Sequence, residues 1–210
     1  MDTILIFCAH SDDEAVGMGG TIAKLAEQKK RIIKVIFSSG EKSHPHLQEQ
    51  FVIKSREGET DEASKFIGIR KVVNFGIEDT KVKHASEEKG TKKKVNELIE
   101  KFKPKKIFIP PAKDPHPDHR AVHNIVLEVV KKIRKKYPVY EYEVWNVTNE
   151  HKPMVFEDIT DYYKKKVKYM KMFRSQWQYM YSLWLPVYLR SRNYGKKIGC
   201  KYAEKFYRLR

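Results

Sequence analysis

Two short stretches of the chain concentrate the side chains that bind metal ions and move protons. The first is Ala9-His10-Ser11-Asp12-Asp13-Glu14, an imidazole followed at once by three carboxylates. The second is Asp114-Pro115-His116-Pro117-Asp118-His119-Arg120-Ala121-Val122-His123, which holds three of the chain's eight histidines. Imidazole nitrogen and carboxylate oxygen are ligands for zinc, and His119 and His123, spaced i, i+4, share one face of a helix in a geometry suited to it. A helix N-terminus needs one acid for its cap and dipole, so capping accounts for Asp12 or Asp13 but not for the whole first cluster. The pair of clusters points to a metal site.

Such a site exists only if the intervening chain brings both clusters to one end of a fold. Thr3 to Ala9 is a continuous apolar run of strand length, as in a strand buried on both faces of a parallel sheet. A helix is predicted from about Ala15 to Lys30, a strand over Arg31 to Ser39, and a helix from Gln48 to Ile67 closed by Gly68. Strands at Lys71 to Phe75 and Lys106 to Ile109 flank a helix at Thr91 to Phe102. Asp118 to Lys136 reads as a helix, Tyr140 to Val147 as a strand and Thr160 to Tyr179 as a helix. Strands alternating with helices imply an α/β fold, a Rossmann-like three-layer sandwich with a mostly parallel sheet. Both clusters follow predicted strands, so both fall at the carboxyl edge where such sheets bind ligands.

At 210 residues, with 40% hydrophobic residues, no internal repeat and no low-complexity linker, the chain is expected to be one domain over residues 1–210. Two cysteines, Cys8 and Cys200, are too few for a disulfide framework and suit a reducing compartment. No apolar run approaches the length that spans a bilayer, and the apolar start lacks the basic leader of a signal peptide, so a cytoplasmic protein is expected. Lys and Arg exceed Asp and Glu by 43 to 27, a net charge of +16. The lysines fall in clusters on helices or at their ends, without RNA-binding or zinc-finger spacing. The excess is therefore read as a solvated surface, and nucleic acid is not expected as a partner.

The residues in question resemble the PIG-L and LmbE type of zinc-dependent de-N-acetylases, which remove acetyl from N-acetylglucosamine-containing molecules. That family's Ala-His-Pro-Asp-Asp-Glu signature is matched by Ala9 to Glu14, except that Ser11 replaces the proline, and its His-Pro-Asp-His motif is matched by His116 to His119. Weaker echoes are Ser38-Ser39-Gly40-Glu41, Arg56-Glu57, Phe75 to Asp79, Ser175-Gln176 and Tyr202 to Phe206.

The resemblance implies a zinc enzyme acting on an N-acetylated sugar. It implies His10, Asp13 and His119 as ligands, Asp12 as general base, and His116 as acid or oxyanion stabiliser supported by Asp118. Three protein ligands leave a fourth position open, which separates catalytic from structural zinc. Spacing alone instead pairs His119 with His123; the resemblance favours His119 with His116 flanking the site. Arg56 is expected either in the substrate pocket, where the family has an arginine, or in a surface ion pair. Serine at position 11 gives up proline's stiffness but keeps a small polar residue, and the site is expected to survive the exchange.

Two other functions compete. A zinc amidohydrolase of the same fold would act on a non-sugar N-acetyl compound, and a non-catalytic basic binding protein would show salt-dependent affinity without zinc dependence. The uncharged segment Tyr179 to Leu189 is either a core helix broken by Pro186, or a subunit contact of a homo-oligomer or wall of the substrate pocket.

Overall fold

Every residue of Thr3–Cys8 (β1) is buried, as a continuous apolar run is when both faces of its sheet are covered. Its side chains alternate between two cores. Ile4, Ile6 and Cys8 pack on one face with Val16, Ile22, Ile67 and Tyr169, while Leu5, Phe7 and Ala9 pack on the other with Val95, Ile99, Val122 and Val126. A computed structural model describes residues 1–44, 46–145 and 152–210 of the chain. In it β1 is followed by α1 (Asp13–Glu27), β2 (Arg31–Ser38), α2 (Glu49–Ile67), β3 (Lys71–Ile77), α3 (Val82–Glu87), α4 (Lys89–Phe102), β4 (Lys106–Ile109), α5 (Pro117–Lys132) and β5 (Val139–Tyr142). β6 (Met154–Asp158), α6 (Tyr163–Met170), α7 (Trp177–Ile198) and β7 (Ala203–Arg208) complete the order.

The strands of the described residues form one seven-stranded sheet in the order β3-β2-β1-β4-β5-β7-β6. The first five run parallel to one another; β7 runs antiparallel to both β5 and β6. This is the expected Rossmann-like α/β sandwich. The chain winds outward from β1 to β3 and returns to β4 on the other side, which opens a crevice beyond the carboxyl ends of β1 and β4. Both motif clusters lie there.

Some elements differ from expectation. The helix expected from Thr160 to Tyr179 is instead α6 with short 3₁₀ turns at Thr160–Tyr162 and Arg174–Gln176, and α7 starts at Trp177. α7 then runs unbroken through Pro186, so Tyr179 to Leu189 is no proline-broken core helix: only Met180, Leu183 and Val187 of that stretch are buried. The strand expected over Tyr140 to Val147 ends at Tyr142; Asn146 and Val147 lie outside the described residues. α3, β6 and β7 form where the sequence pattern predicts no element.

The lysine excess is not wholly a solvated surface. Lys34, Lys166 and Lys205 are buried and face Glu14, Glu204 and Glu143 at 2.5, 2.6 and 2.6 Å. Glu204 also accepts from the backbone N–H groups of Gly20 and Thr21, just past the break in α1 at Met18, where helical geometry leaves those donors without carbonyl partners.

Candidate metal and catalytic site

The turn from β1 into α1 is closed by one side chain. Asp13 Oδ2 accepts from the backbone N–H groups of Ala9 and His10 at 2.7 and 3.0 Å, which folds the chain so that His10 and Asp13 face the same way. Across the crevice His116 caps α5, its Nδ1 accepting from the Asp118 N–H at 3.2 Å, with Pro117 in the first helical turn. One turn on, His119 points Nε2 at Asp13 Oδ1, 3.1 Å away, and Nδ1 at Asp114 Oδ1, 2.9 Å away.

His10, His116 and His119 offer ring nitrogens that all lie within 4.8 Å of one another, and their ring centroids stand 4.7 to 5.4 Å apart. His10 is also flanked by Asp13 Oδ1 at 3.8 Å, Asp79 Oδ1 at 3.2 Å and Asp118 Oδ2 at 3.7 Å. Asp118 is fully buried, and its Oδ1 finds no hydrogen-bond partner among the described residues. An orphaned carboxylate oxygen beside converging imidazoles and carboxylates is a donor set that fits a zinc ion.

The electrostatics agree. Burial works against a charged His10, yet the carboxylates of Asp118, Asp13 and Asp79 outweigh it and hold its pKa well above the ordinary imidazole value. Burial likewise opposes a charged His119, but Asp13 and Asp114 raise its pKa to about 9. Burial pushes the Asp13 carboxyl up, and His119 and His10 more than reverse this, leaving it well below the usual range. His116 goes the other way: burial, then the positive charge of His10 and His119, lower its pKa and favour the neutral ring. Positive charge is favoured at His10 and His119, where a dication would displace protons.

His10, Asp13, Asp79, His116 and His119 floor a cavity of about 280 Å³ whose other wall includes Trp145, Tyr179, Met180 and Leu183. Asp12 and Arg56 line it as well; Arg56 is buried, with Nη2 3.6 Å from Asp12 Oδ1, so it is not the surface ion pair of the alternative reading. Of the residues singled out in the sequence, His10, Asp12, Asp13, Arg56, His116 and His119 line this cavity, and Asp118 lies beside His10. His123 is elsewhere, with Nδ1 3.0 Å from the Pro110 carbonyl and 3.2 Å from Glu141 Oε1. Asp118 meets His116 through its backbone N–H, whereas its carboxylate accepts from the Thr80 N–H at 2.8 Å and faces His10.

Asp79 and Asp114 join the site with no role expected of them from the sequence. Asp79 follows β3 and is held by its own N–H donating to Glu41 Oε1 at 2.6 Å; Asp114 closes the loop before His116, accepting that residue's N–H at 2.9 Å. Of the longer uncharged segment, Tyr179, Met180 and Leu183 reach the cavity wall; Trp184 and Tyr188 do not line it.

The sequence profile of the PIG-L family, described as GlcNAc-PI de-N-acetylase, matches residues 5–130. The diacetylchitobiose deacetylase of Thermococcus kodakarensis is 26% identical over 96% of this chain and 80% of its own. The crystal structure of N,N'-diacetylchitobiose deacetylase from Pyrococcus horikoshii superposes with a TM-score of 0.85 at 26% identity, over 99% of this chain and 84% of that one. GalB of Pseudomonas putida, a 4-carboxy-2-hydroxymuconate hydratase, reaches the same TM-score at 23% identity, over 100% of this chain and 97% of its own. The backbone alone therefore does not fix the chemistry, which must be argued from the site.

Proposed function

The chain belongs to the PIG-L family of de-N-acetylases, and on that premise we propose that it is a zinc-dependent hydrolase that removes acetyl from an N-acetylglucosamine-type sugar or sugar conjugate. One observation carries this reading: His10, Asp13 and His119 converge at the floor of a cavity that Asp12 and His116 also line. His10, Asp13 and His119 would hold the metal. Bound zinc supplies Lewis-acid activation of water and of the amide carbonyl.

The protein's own groups do the rest. Asp12 takes the proton of the attacking water as its oxygen bonds to the acetyl carbon. The His116 Nδ1 already accepts the Asp118 N–H, so the neutral ring carries its proton on Nε2 and donates to the carbonyl oxygen as negative charge grows there. This geometry favours oxyanion stabilisation over the acid role for His116, because a ring whose Nδ1 is an acceptor cannot also be imidazolium. The leaving nitrogen then recovers its proton from Asp12 as the C–N bond breaks, giving acetate and the free amine. Trp145 and Tyr179, in edge contact at 5.9 Å between centroids, offer the apolar surface on which the C–H faces of a sugar ring rest. A cavity of about 280 Å³ sits at the small end of ligand sites and suits one ring better than a chain.

We assign this activity to the whole chain as one domain, since a single sheet joins Thr3 to Arg208. The free thiols of Cys8 and Cys200 support the cytoplasm. No helix of the described residues is long and apolar enough to cross a membrane. A homo-oligomer is supported by the exposed aromatic stripe of α7. The test is acetate release by zinc-loaded protein from N-acetylglucosamine and diacetylchitobiose, with an N-acetylated polyamine as control. Release from the sugars that a chelator abolishes is expected; release from the polyamine alone would move the substrate to the non-sugar class, and release indifferent to chelation would remove the metal.

A further inference from the structure

Ser11 stands where the family signature has proline, between His10 and Asp12, and two buried cations converge on it. Its carbonyl accepts from Lys34 Nζ at 2.5 Å, and its hydroxyl from Arg56 Nη2 at 3.3 Å. That same guanidinium nitrogen lies 3.6 Å from Asp12 Oδ1. The other arm of the fork, Nη1, donates to Ser43 Oγ at 3.2 Å and to the Gly40 carbonyl at 3.5 Å. The seat is built for this side chain: Gly40 has φ +67°, and a Cβ there would stand 2.8 Å from Arg56 Cζ, so any other residue would displace the guanidinium.

A proline at position 11 keeps the carbonyl and has no hydroxyl. In such a chain Arg56 would lose an acceptor on the arm that faces Asp12, and its Nε already finds no partner among the described residues. We propose that Ser11 is a positioning residue, whose hydroxyl seats Arg56 against Asp12 and so holds the carboxylate in the orientation that receives the proton. The hydrogen bond replaces the ring stiffness that proline gives the turn. This inference rests on the deacetylase reading above.

The experiment measures kcat and KM for acetate release, with zinc content, for wild-type protein, Ser11→Ala, Ser11→Thr, Arg56→Lys and the double variant Ser11→Ala/Arg56→Lys. Losing a hydrogen bond to a charged group is expected to lower kcat of Ser11→Ala about tenfold, with zinc content unchanged and KM within about twofold. Ser11→Thr should recover the rate, because position 11 also borders a cavity of about 270 Å³ with room for one methyl. The double variant should be no slower than Arg56→Lys alone, since lysine lacks the planar fork through which the hydroxyl acts. An unchanged kcat in Ser11→Ala, an effect confined to KM, loss of zinc, no recovery in Ser11→Thr, or multiplicative effects in the double variant would each overturn the inference while leaving the deacetylase reading intact. Absence of acetate release by zinc-loaded wild type would overturn both.

Discussion

Asp12 and Asp13 are neighbours in sequence with different tasks, and their surroundings say which is which. Asp13 is buried, ties down two backbone N–H groups and faces His119; Asp12 keeps some exposure and lies against Arg56. Asp12→Asn is therefore expected to keep zinc and lose about 10²- to 10⁴-fold in kcat, the usual contribution of a general base. Paired metal and rate measurements check it, and a metal-free Asp12→Asn would make it a ligand. Asp13→Ala and His119→Ala should each lose zinc, because two remaining protein ligands are fewer than catalytic zinc sites keep. His119 also sets a pH dependence in chelated protein. Its folded pKa of about 9 exceeds the unfolded value of 6.5, so its stabilisation is complete below pH 6.5 and lost as pH rises through 9. The Tm of metal-free protein should fall across that window, and the slope should flatten in His119→Gln. Both motif clusters were legible in the sequence because ligating residue types are dense there. The partners of Asp79 and Asp114 were not: Asp114 stands inside the second cluster and Asp79 ends the echo from Phe75, but no spacing pairs Asp79 with His10 or Asp114 with His119 until the fold brings them together.

At the scale of elements, the parallel half of the sheet was legible because strands covered on both faces are mostly apolar runs, continuous in β1 and broken within β2 by Lys34. β7 was hidden by its buried Glu204 and Lys205, which interrupt the apolar alternation and are neutralised by partners far away in sequence. The same device lies under the site. Lys34 on β2 is wholly buried, bonded to Glu14 Oε1 and to the Ser11 carbonyl, while Glu14 also receives Tyr169 Oη and Cys8 Sγ. Removing one member of such a pair strands the other charge, so Lys34→Met is expected to lower stability by about 3–5 kcal/mol in urea unfolding. A change below about 1 kcal/mol would show that Glu14 takes up a proton at little cost.

At the scale of the molecule, α7 is the element whose sequence and surroundings disagree. Its seam of Met180, Leu183 and Val187 packs on the body, while Trp177, Tyr181, Trp184 and Leu185 are exposed at 61, 78, 49 and 57%. Sequence showed that this stretch was uncharged and aromatic; it had no means of showing that most of its surface is left outside the core. Trp and Tyr in a contiguous exposed stripe are what a subunit contact uses, and a second copy of the chain is the occupant we assign. Each copy carries a net charge of +16, so copies repel at low ionic strength, and the contact must rest on apolar burial. Association is therefore expected to strengthen between low salt and about 1 M, where the screening length falls to about 3 Å. Trp184→Ala, at a half-exposed position outside the cavity wall, should lower the mass seen by light scattering while zinc content and kcat stay unchanged. A wild-type monomer at high salt would leave the stripe without this partner, and a Trp184→Ala protein that unfolds would make the residue part of the core after all.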